Sequence, residues 1–398
     1  MGQVKHAAME FEELGYSPIY DKSLCRKCIS EPDIQSYIKR NGESGHCDYC
    51  NKSRRYTIEF NDFMEFFTGK ISQEWGDPNN NGMPWEKGWV GNVMDSWDLL
   101  DELALPIENQ ELQDDILDSV QEQQWCINDL YSLSPEDVLN YGWKEFVNTV
   151  KHRSRYAFYR LEDDKTGRGY EEVPPNQFMD FLSQVIDSLG LYRSVKANSK
   201  FYRVRVHKPS EEVSCAEHIG TPKPEFACFP NRMSPSGIPM FYGAFDVKTA
   251  LKETYEPDKN IRHVSLGSFT NCKELTFVDL SAAPRVPGLF SEHDRSTRHG
   301  LAFLHKFIEE ISLPINKDGM EHLDYVPTQV ISEHLRFLHE KVTGTEVHGL
   351  IYPSTKNNGE KAIVVFCDST HCADAGNEDE SSIFTLQNLK RINPSKYL

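Results

Sequence analysis

Hydrophobic positions change period along this chain. From about residue 57 to 160 they recur at helical offsets, as Phe60, Phe63, Phe66 and Phe67 and again as Leu112, Ile116 and Val120, with Asp and Glu on the opposite face. A break at 75–89, containing Asp77-Pro-Asn-Asn-Asn-Gly82, reads as a loop whose tryptophans serve core and hinge packing. A polar stretch at 162–175 precedes a helix at 176–190, where Phe178, Phe181, Leu182, Val185, Ile186 and Leu189 form one apolar stripe. Short apolar runs then predict strands at 200–207, 239–245, 262–270, 275–279, 349–352 and 362–367, broken by helices near 247–255, 299–311 and 328–342. Residues 373–382 read as an acidic, flexible tail and 383–392 as a short final helix. The mixture predicts an α+β fold, without internal repeats.

A chain of 398 residues exceeds what one core usually organises. Three domains are expected: a zinc-binding knuckle at 1–58, a mostly helical domain with a linker helix at 59–194, and a mixed β domain at 195–398. Charge supports a division into halves. Residues 1–195 carry 19 Lys and Arg against 35 Asp and Glu, whereas 196–398 carry 24 against 26, so nearly all of the net −18 lies in the first half. All six tryptophans lie there too. That acidity disfavours nonspecific nucleic-acid binding, which needs basic residues against phosphates.

With 38% hydrophobic and 26% charged residues, the composition is that of folded, soluble material. No run of 18 apolar residues predicts a membrane span, and the polar, acidic start does not resemble a secretion signal. His6 stands where a myristoylation signal has Ser or Thr. A cytoplasmic location is expected.

Four of the ten cysteines form two Cys-x-x-Cys pairs, Cys25/Cys28 and Cys47/Cys50, with eighteen residues between them. Each such turn presents two thiolates to one tetrahedral ion, so the four predict a structural Zn2+ site. His46 is a weaker alternative ligand.

The chemistry of the second half concentrates at 231–256. Arg232 opens a Ser/Pro/Gly turn, a short strand carries Tyr242, and Asp246 is placed to cap a helix that carries Glu253. With Arg203, in Phe201-Tyr-Arg-Val-Arg205, and Ser354, which ends Gly349-Leu-Ile-Tyr-Pro-Ser354, these residues occur in the order and spacing of a known family. Residues 195–370 resemble the RES domain, named for an arginine, a glutamate and a serine, matched here by Arg203, Glu253 and Ser354. Asp324-Tyr-Val-Pro-Thr-Gln329 is similar to a subgroup signature. The front half resembles the N-terminal domain that precedes RES and HEPN domains, on the strength of its cysteines and Lys151-His-Arg-Ser-Arg-Tyr156.

The resemblance implies an ADP-ribosyltransferase-like fold and consumption of NAD+ as a substrate. It also implies a toxin or antiphage-defence role, with an antitoxin or regulatory partner and self-association as open questions. The residues make independent sense of this. Guanidinium forks at Arg203 and Arg232 suit a pyrophosphate, and Tyr242 offers a flat wall to nicotinamide. A carboxylate at Glu253 would stabilise positive charge on the ribose as the nicotinamide–ribose bond breaks. Ser354 could bind the carboxamide or a ribose hydroxyl. Arg205 is a second candidate for phosphate, and Thr328 and Gln329, at a helix start, could favour an anion. Each has a plainer alternative: an outward residue of an edge strand for Arg203, a core aromatic for Tyr242, a solvated helix face for Glu253. The acceptor also stays open, between water or phosphate for a glycohydrolase or phosphorylase and a macromolecule for an ADP-ribosyltransferase. Arg40 and His46 match a HEPN ribonuclease pattern in spacing, but their Gly-rich context favours chance. Neither a Rossmann nor a Walker motif is present.

Overall fold

The computed structural model describes residues 15–120, 123–128, 133–161, 173–256, 263–293, 295–313 and 321–398. Most of the polar stretch expected at 162–175, and the chain start, lie outside them. The chain forms two compact units. The first comprises the described residues up to Pro135 together with Val286–His299, and the second comprises Glu136–Arg285 and Gly300–Leu398. The unit boundary at 135/136 thus differs from the 194/195 boundary read from composition, and fourteen residues from the second half of the sequence belong to the first unit.

In the first unit, β1 (Ser23–Cys25), β2 (Glu43–Cys47) and β3 (Lys52–Glu59) form an antiparallel sheet in the order β1-β3-β2. The helix Pro32–Asn41 starts where Glu31 accepts the Ile34 N–H at 2.6 Å, with Pro32 in its first turn. The helix Phe60–Ile71 buries Phe60, Phe63, Met64, Phe67 and Ile71, the stripe read from its period. Phe290, from the late segment, is 4% exposed and stacks on Phe67 with centroids 5.3 Å apart. Arg40 pairs with Glu292, Lys70 donates to the Ser291 carbonyl, and Arg298 pairs with Glu74. A second small sheet joins β4 (Trp75–Gly76), β5 (Met94–Asp95) and β6 (Gln124–Ile127). The tryptophans divide: Trp125 is buried with its indole N–H on Ser96 and Trp75 packs against the core cluster, whereas Trp97 is exposed, as is Trp85, which packs edge-on against Trp89.

The second unit is built on a nine-stranded mixed sheet. Its strands are β7 (Tyr192–Val195), β8 (Lys200–His207), β9 (Phe241–Ala244), β10 (His263–Asn271), β11 (Leu275–Asp279), β12 (Gly349–Pro353), β13 (Lys361–Val365), β14 (Cys372–Asp374) and β15 (Phe384–Ile392). They run in the order β14-β15-β10-β8-β9-β13-β12-β11-β7. Pairs β11/β12 and β14/β15 are parallel and the remainder antiparallel. One core cluster contains Phe201, Phe241, Phe269, Phe277 and Phe384, and another contains Val204, Ala244, Leu251, Val264 and Leu266. The α+β expectation therefore holds, with the large mixed sheet in the C-terminal part.

Three local expectations change. In place of the helix expected over 383–392 stands the strand β15, and Ala373 and Asp374, from the tail expected to be flexible at 373–382, pair with it as part of β14. The helix expected over 328–342 is two, Val326–Phe337 and His339–Thr343. No helix among the described residues is long and apolar enough to cross a membrane.

Candidate functional site

Strands β8 and β9 are neighbours in the sheet but share one Cα pairing, Tyr202↔Ala244, so their ladder is opened. Arg203 occupies the opening. Its Nε donates to the Ile219 carbonyl at 2.8 Å and its Nη1 to the Tyr242 carbonyl at 2.6 Å. Its guanidinium also lies 5.3 Å from the Phe241 ring centroid. The side chain thus satisfies a β9 acceptor that a full ladder would have paired. Gly243 belongs to the same opening, because a Cβ there would lie 2.9 Å from the Tyr202 carbonyl oxygen.

A cavity of about 1120 Å³ lies at this opening. Arg203, Arg232, Tyr242 and Glu253 all line it, from a strand, a loop, the next strand and a helix. The helix Val247–Thr254 begins as the sequence suggested, with the Asp246 carboxylate accepting the Thr249 N–H at 2.8 Å. It is tied to the turn after β12, where Asn357 Nδ2 donates to Thr249 Oγ1 at 2.7 Å. Lys356 of that turn donates to the Glu253 carbonyl at 3.2 Å. Among the described residues no hydrogen bond or ion pair engages the half-buried Glu253 carboxylate. Burial, reinforced by Glu253, pushes the Tyr352 phenol well above its usual range, so it remains a donor. Burial likewise pushes Tyr242 up to about 12, and its hydroxyl lies 2.9 Å from Ser234 Oγ. Arg232 Nη2 donates to the Leu313 carbonyl at 2.6 Å and Nη1 to that of Ile311, at the end of the helix Arg295–Ser312.

Ser354 is not among the lining residues. It is 1% exposed, and its Oγ accepts the Asn357 N–H at 3.1 Å, so it caps the turn that presents Thr355 and Lys356. Thr328 and Gln329 do not form an anion site either. Thr328 donates to the Arg232 carbonyl, and Gln329 Nε2 donates to the Asn231 carbonyl at 2.9 Å, so both brace the 231–234 turn. Arg205 lies outside the cavity lining and pairs with Glu211 at 3.3 Å. Arg40 ends one helix while His46 sits in β2 beside Ser53, which leaves no common helix for a HEPN-type pair.

The lining also includes residues that sequence reasoning did not select: Tyr325, Tyr352, Lys356, Phe226 and Phe229. Tyr325 and Tyr352 fall within blocks already singled out, Asp324–Gln329 and Gly349–Ser354, so their neighbours held the signal. The two phenylalanines lie in a Pro-rich stretch without periodicity, which offered none.

In the first unit the four cysteines come together. Cys25 Sγ lies 3.7 Å from Cys28 Sγ and 3.7 Å from Cys50 Sγ, and Cys28 Sγ lies 3.6 Å from Cys47 Sγ. All four sulfurs lie within 4.8 Å of one another. A tetrahedral site with metal–sulfur bonds of about 2.3 Å has edges of about 3.8 Å, close to these separations. The Cys28 thiol, with backbone N–H groups of Cys50 and Cys25, lowers the pKa of Cys47 below the usual thiol range. This is a donor set suited to a divalent cation.

The arrangement agrees with comparison to protein families. A model described as HEPN/RES N-terminal domain 1 matches residues 40–164, leaving Cys25 and Cys28 before its start, and a RES domain model matches residues 200–386. No curated protein and no solved structure matches the chain. The lined cavity falls wholly within the RES match, and the chain is a RES-domain protein, in which that domain follows a HEPN/RES N-terminal domain 1.

Proposed function

We propose that the RES domain cleaves the nicotinamide–ribose bond of NAD+, as a glycohydrolase or phosphorylase, and that the protein acts as a toxin or defence effector by depleting NAD+. The observation that carries this reading is that Arg203, Arg232, Tyr242 and Glu253 line a single cavity large enough for a dinucleotide. The two guanidinium groups supply positive charge for the pyrophosphate, and Tyr242 a flat wall for the nicotinamide ring. Glu253, with no competing cation on its carboxylate among the described residues, would stabilise the oxocarbenium-like ribose as the C–N bond breaks and nicotinamide leaves. Water or phosphate then adds at the anomeric carbon. Cys25, Cys28, Cys47 and Cys50 would hold one structural zinc, which takes no part in these steps. Restraint of NAD+ consumption falls to an antitoxin-like partner or to the protein's own first unit.

The test is to incubate the purified full chain with NAD+, with and without phosphate, and to weigh the products. Nicotinamide with ADP-ribose, or with its phosphorylated form when phosphate is present, is the expected result. A mass increase on the protein or an added acceptor would favour ADP-ribosyl transfer instead. Intact NAD+, or cleavage at the pyrophosphate, would overturn the reading.

A further inference from the structure

We infer that Phe226 and Phe229 form a nucleobase subsite at the mouth of the cavity, where they stack the adenine ring of the dinucleotide. This deepens the NAD+ reading and rests on it for the identity of the ligand. Phe226 is 71% exposed and Phe229 83% exposed, yet both line the same cavity as Arg203, Arg232 and Glu253. A scattered exposed aromatic needs no explanation, but two rings three residues apart, held over a cavity that also contains guanidinium groups, do.

The loop that carries them is internally braced. Phe226 N–H donates to the Lys223 carbonyl at 2.9 Å and Ala227 N–H to the Pro224 carbonyl at 3.1 Å, closing the turn Pro224–Phe226. From the far side, Gly237 N–H donates to the Ala227 carbonyl at 2.8 Å, with Gly237 in the left-handed region at φ +82°. Arg232, Thr328 and Gln329 then anchor the 231–234 turn. A braced backbone that exposes apolar rings is a stacking platform, since every base offers a flat π face and stacking costs such a platform little reorganisation.

The lining of the cavity is of two kinds. Tyr242, Tyr325, Tyr352 and Glu253 are half-buried and polar, the chemistry that a ribose–nicotinamide bond requires. The exposed phenylalanines bring no charge and no hydrogen-bonding side-chain atom, which fits a neutral base and not a phosphate. A dinucleotide has two flat rings joined through a pyrophosphate, and this lining offers two aromatic regions together with two arginines.

The experiment measures binding of NAD+, AMP and nicotinamide mononucleotide to the full chain by calorimetry, in wild type and in the variant Phe226→Ala/Phe229→Ala. The rings are exposed, so their removal leaves the core intact. NAD+ and AMP should bind more weakly by on the order of tenfold per ring removed, with nicotinamide mononucleotide unchanged. Phe229→Trp should retain affinity, since a larger π face stacks at least as well. As a second readout, AMP should slow alkylation of the exposed Cys228, which lies between the two phenylalanines in sequence and lines the cavity, while sparing the exposed Cys272, which does not line it. Equal NAD+ and AMP affinities in the double variant, or an equal loss for nicotinamide mononucleotide, would overturn the subsite while leaving NAD+ cleavage standing. Wild type that binds AMP through these rings but neither binds nor cleaves NAD+ would retain the subsite and discard the cleavage reading.

Discussion

The Arg203 guanidinium donates from Nη1 to the main-chain carbonyl of Tyr242 at 2.6 Å, across a strand boundary where the ladder has a single Cα pairing. One side chain therefore closes the backbone accounting of an opened sheet and lines the cavity that the opening creates. Under the proposed function, anchoring a ligand and holding the fold are joined at this residue.

Arg203 and Arg232 should consequently behave differently when truncated. Arg203→Ala leaves the Ile219 and Tyr242 carbonyls without their donor, at about 1–3 kcal/mol for each buried group left unpaired. Arg232→Ala frees the carbonyls of the buried Ile311 and the exposed Leu313, the second of which water can satisfy, and should cost less stability than Arg203→Ala. Both variants should lose NAD+ affinity, by roughly 1.5–3 kcal/mol for a charge-assisted bond. Urea unfolding and calorimetry on the two variants separate the effects, and unchanged NAD+ affinity in both would remove the phosphate assignment.

Glu253→Gln keeps the shape of the side chain and removes its charge. Turnover of NAD+ should fall by orders of magnitude while binding survives, because the carboxylate acts on charge that develops only as the bond breaks. Single-turnover kinetics beside equilibrium binding read both quantities. Unchanged turnover would make Glu253 an ordinary residue of a half-buried helix face.

Replacing Cys47 and Cys50 with serine should abolish metal binding. Protein purified without added zinc should carry about one equivalent, and the double variant none. A structural zinc contributes on the order of 10 kcal/mol to a module of this size, so the β1-β3-β2 sheet should become open to proteolysis when the metal is lost. Metal retained by the double variant would refute the site.

A buried relay in the second unit predicts acid sensitivity. Tyr192 donates its hydroxyl proton to Asp187 at 2.9 Å, so its oxygen must accept from His339 Nε2 at 3.0 Å. His339 Nδ1 then accepts from the Ser183 hydroxyl at 2.9 Å, and Ser183 accepts from His334 Nε2 at 3.0 Å. The Ser183–His339 link needs a neutral His339 with its proton on Nε2, because a protonated ring cannot accept at Nδ1. Burial pushes His334 down to about 4, against the upward pull of Asp180, and lowers His339 as well. These bases take up protons more readily when unfolded. The stability they contribute is therefore complete above the unfolded value of about 6.5 and is lost as pH falls from there toward 4, at roughly 2–3 kcal/mol for His334 alone. Urea midpoints across that window should fall steeply in wild type and less steeply in His334→Gln, and identical slopes would sink the account.

Local chemistry was legible where neighbouring residues decide it. The Cys-x-x-Cys pairs, the Asp246 cap, the apolar stripe of Phe60–Ile71 and the strands around Arg203 and Tyr242 all follow from short-range spacing. The strand β15 was misread for a traceable reason. Leu386, Leu389 and Ile392 recur every three residues, as on a helix, but the pairing with β10 shifts register between Ser268 and Phe269, so that Phe269 faces Leu386 and Ser268 faces Asn388. That bulge skips Gln387 and lets Leu386 and Leu389 pack against the same core cluster from a strand.

Sequence by itself determined the mixed helix-and-sheet class, the domain families and the four cysteines that come together, and it singled out four of the polar residues that line the cavity. Only the tertiary structure decided that Ser354 turns inward to cap a backbone turn, that Arg203 is committed to two carbonyls, and that Val286–His299 belongs to the first unit. The difference is physical. Caps, turns and amphipathic stripes are set by residues a few positions apart, whereas the fate of a particular side-chain oxygen or guanidinium depends on which distant backbone groups folding leaves unpaired beside it.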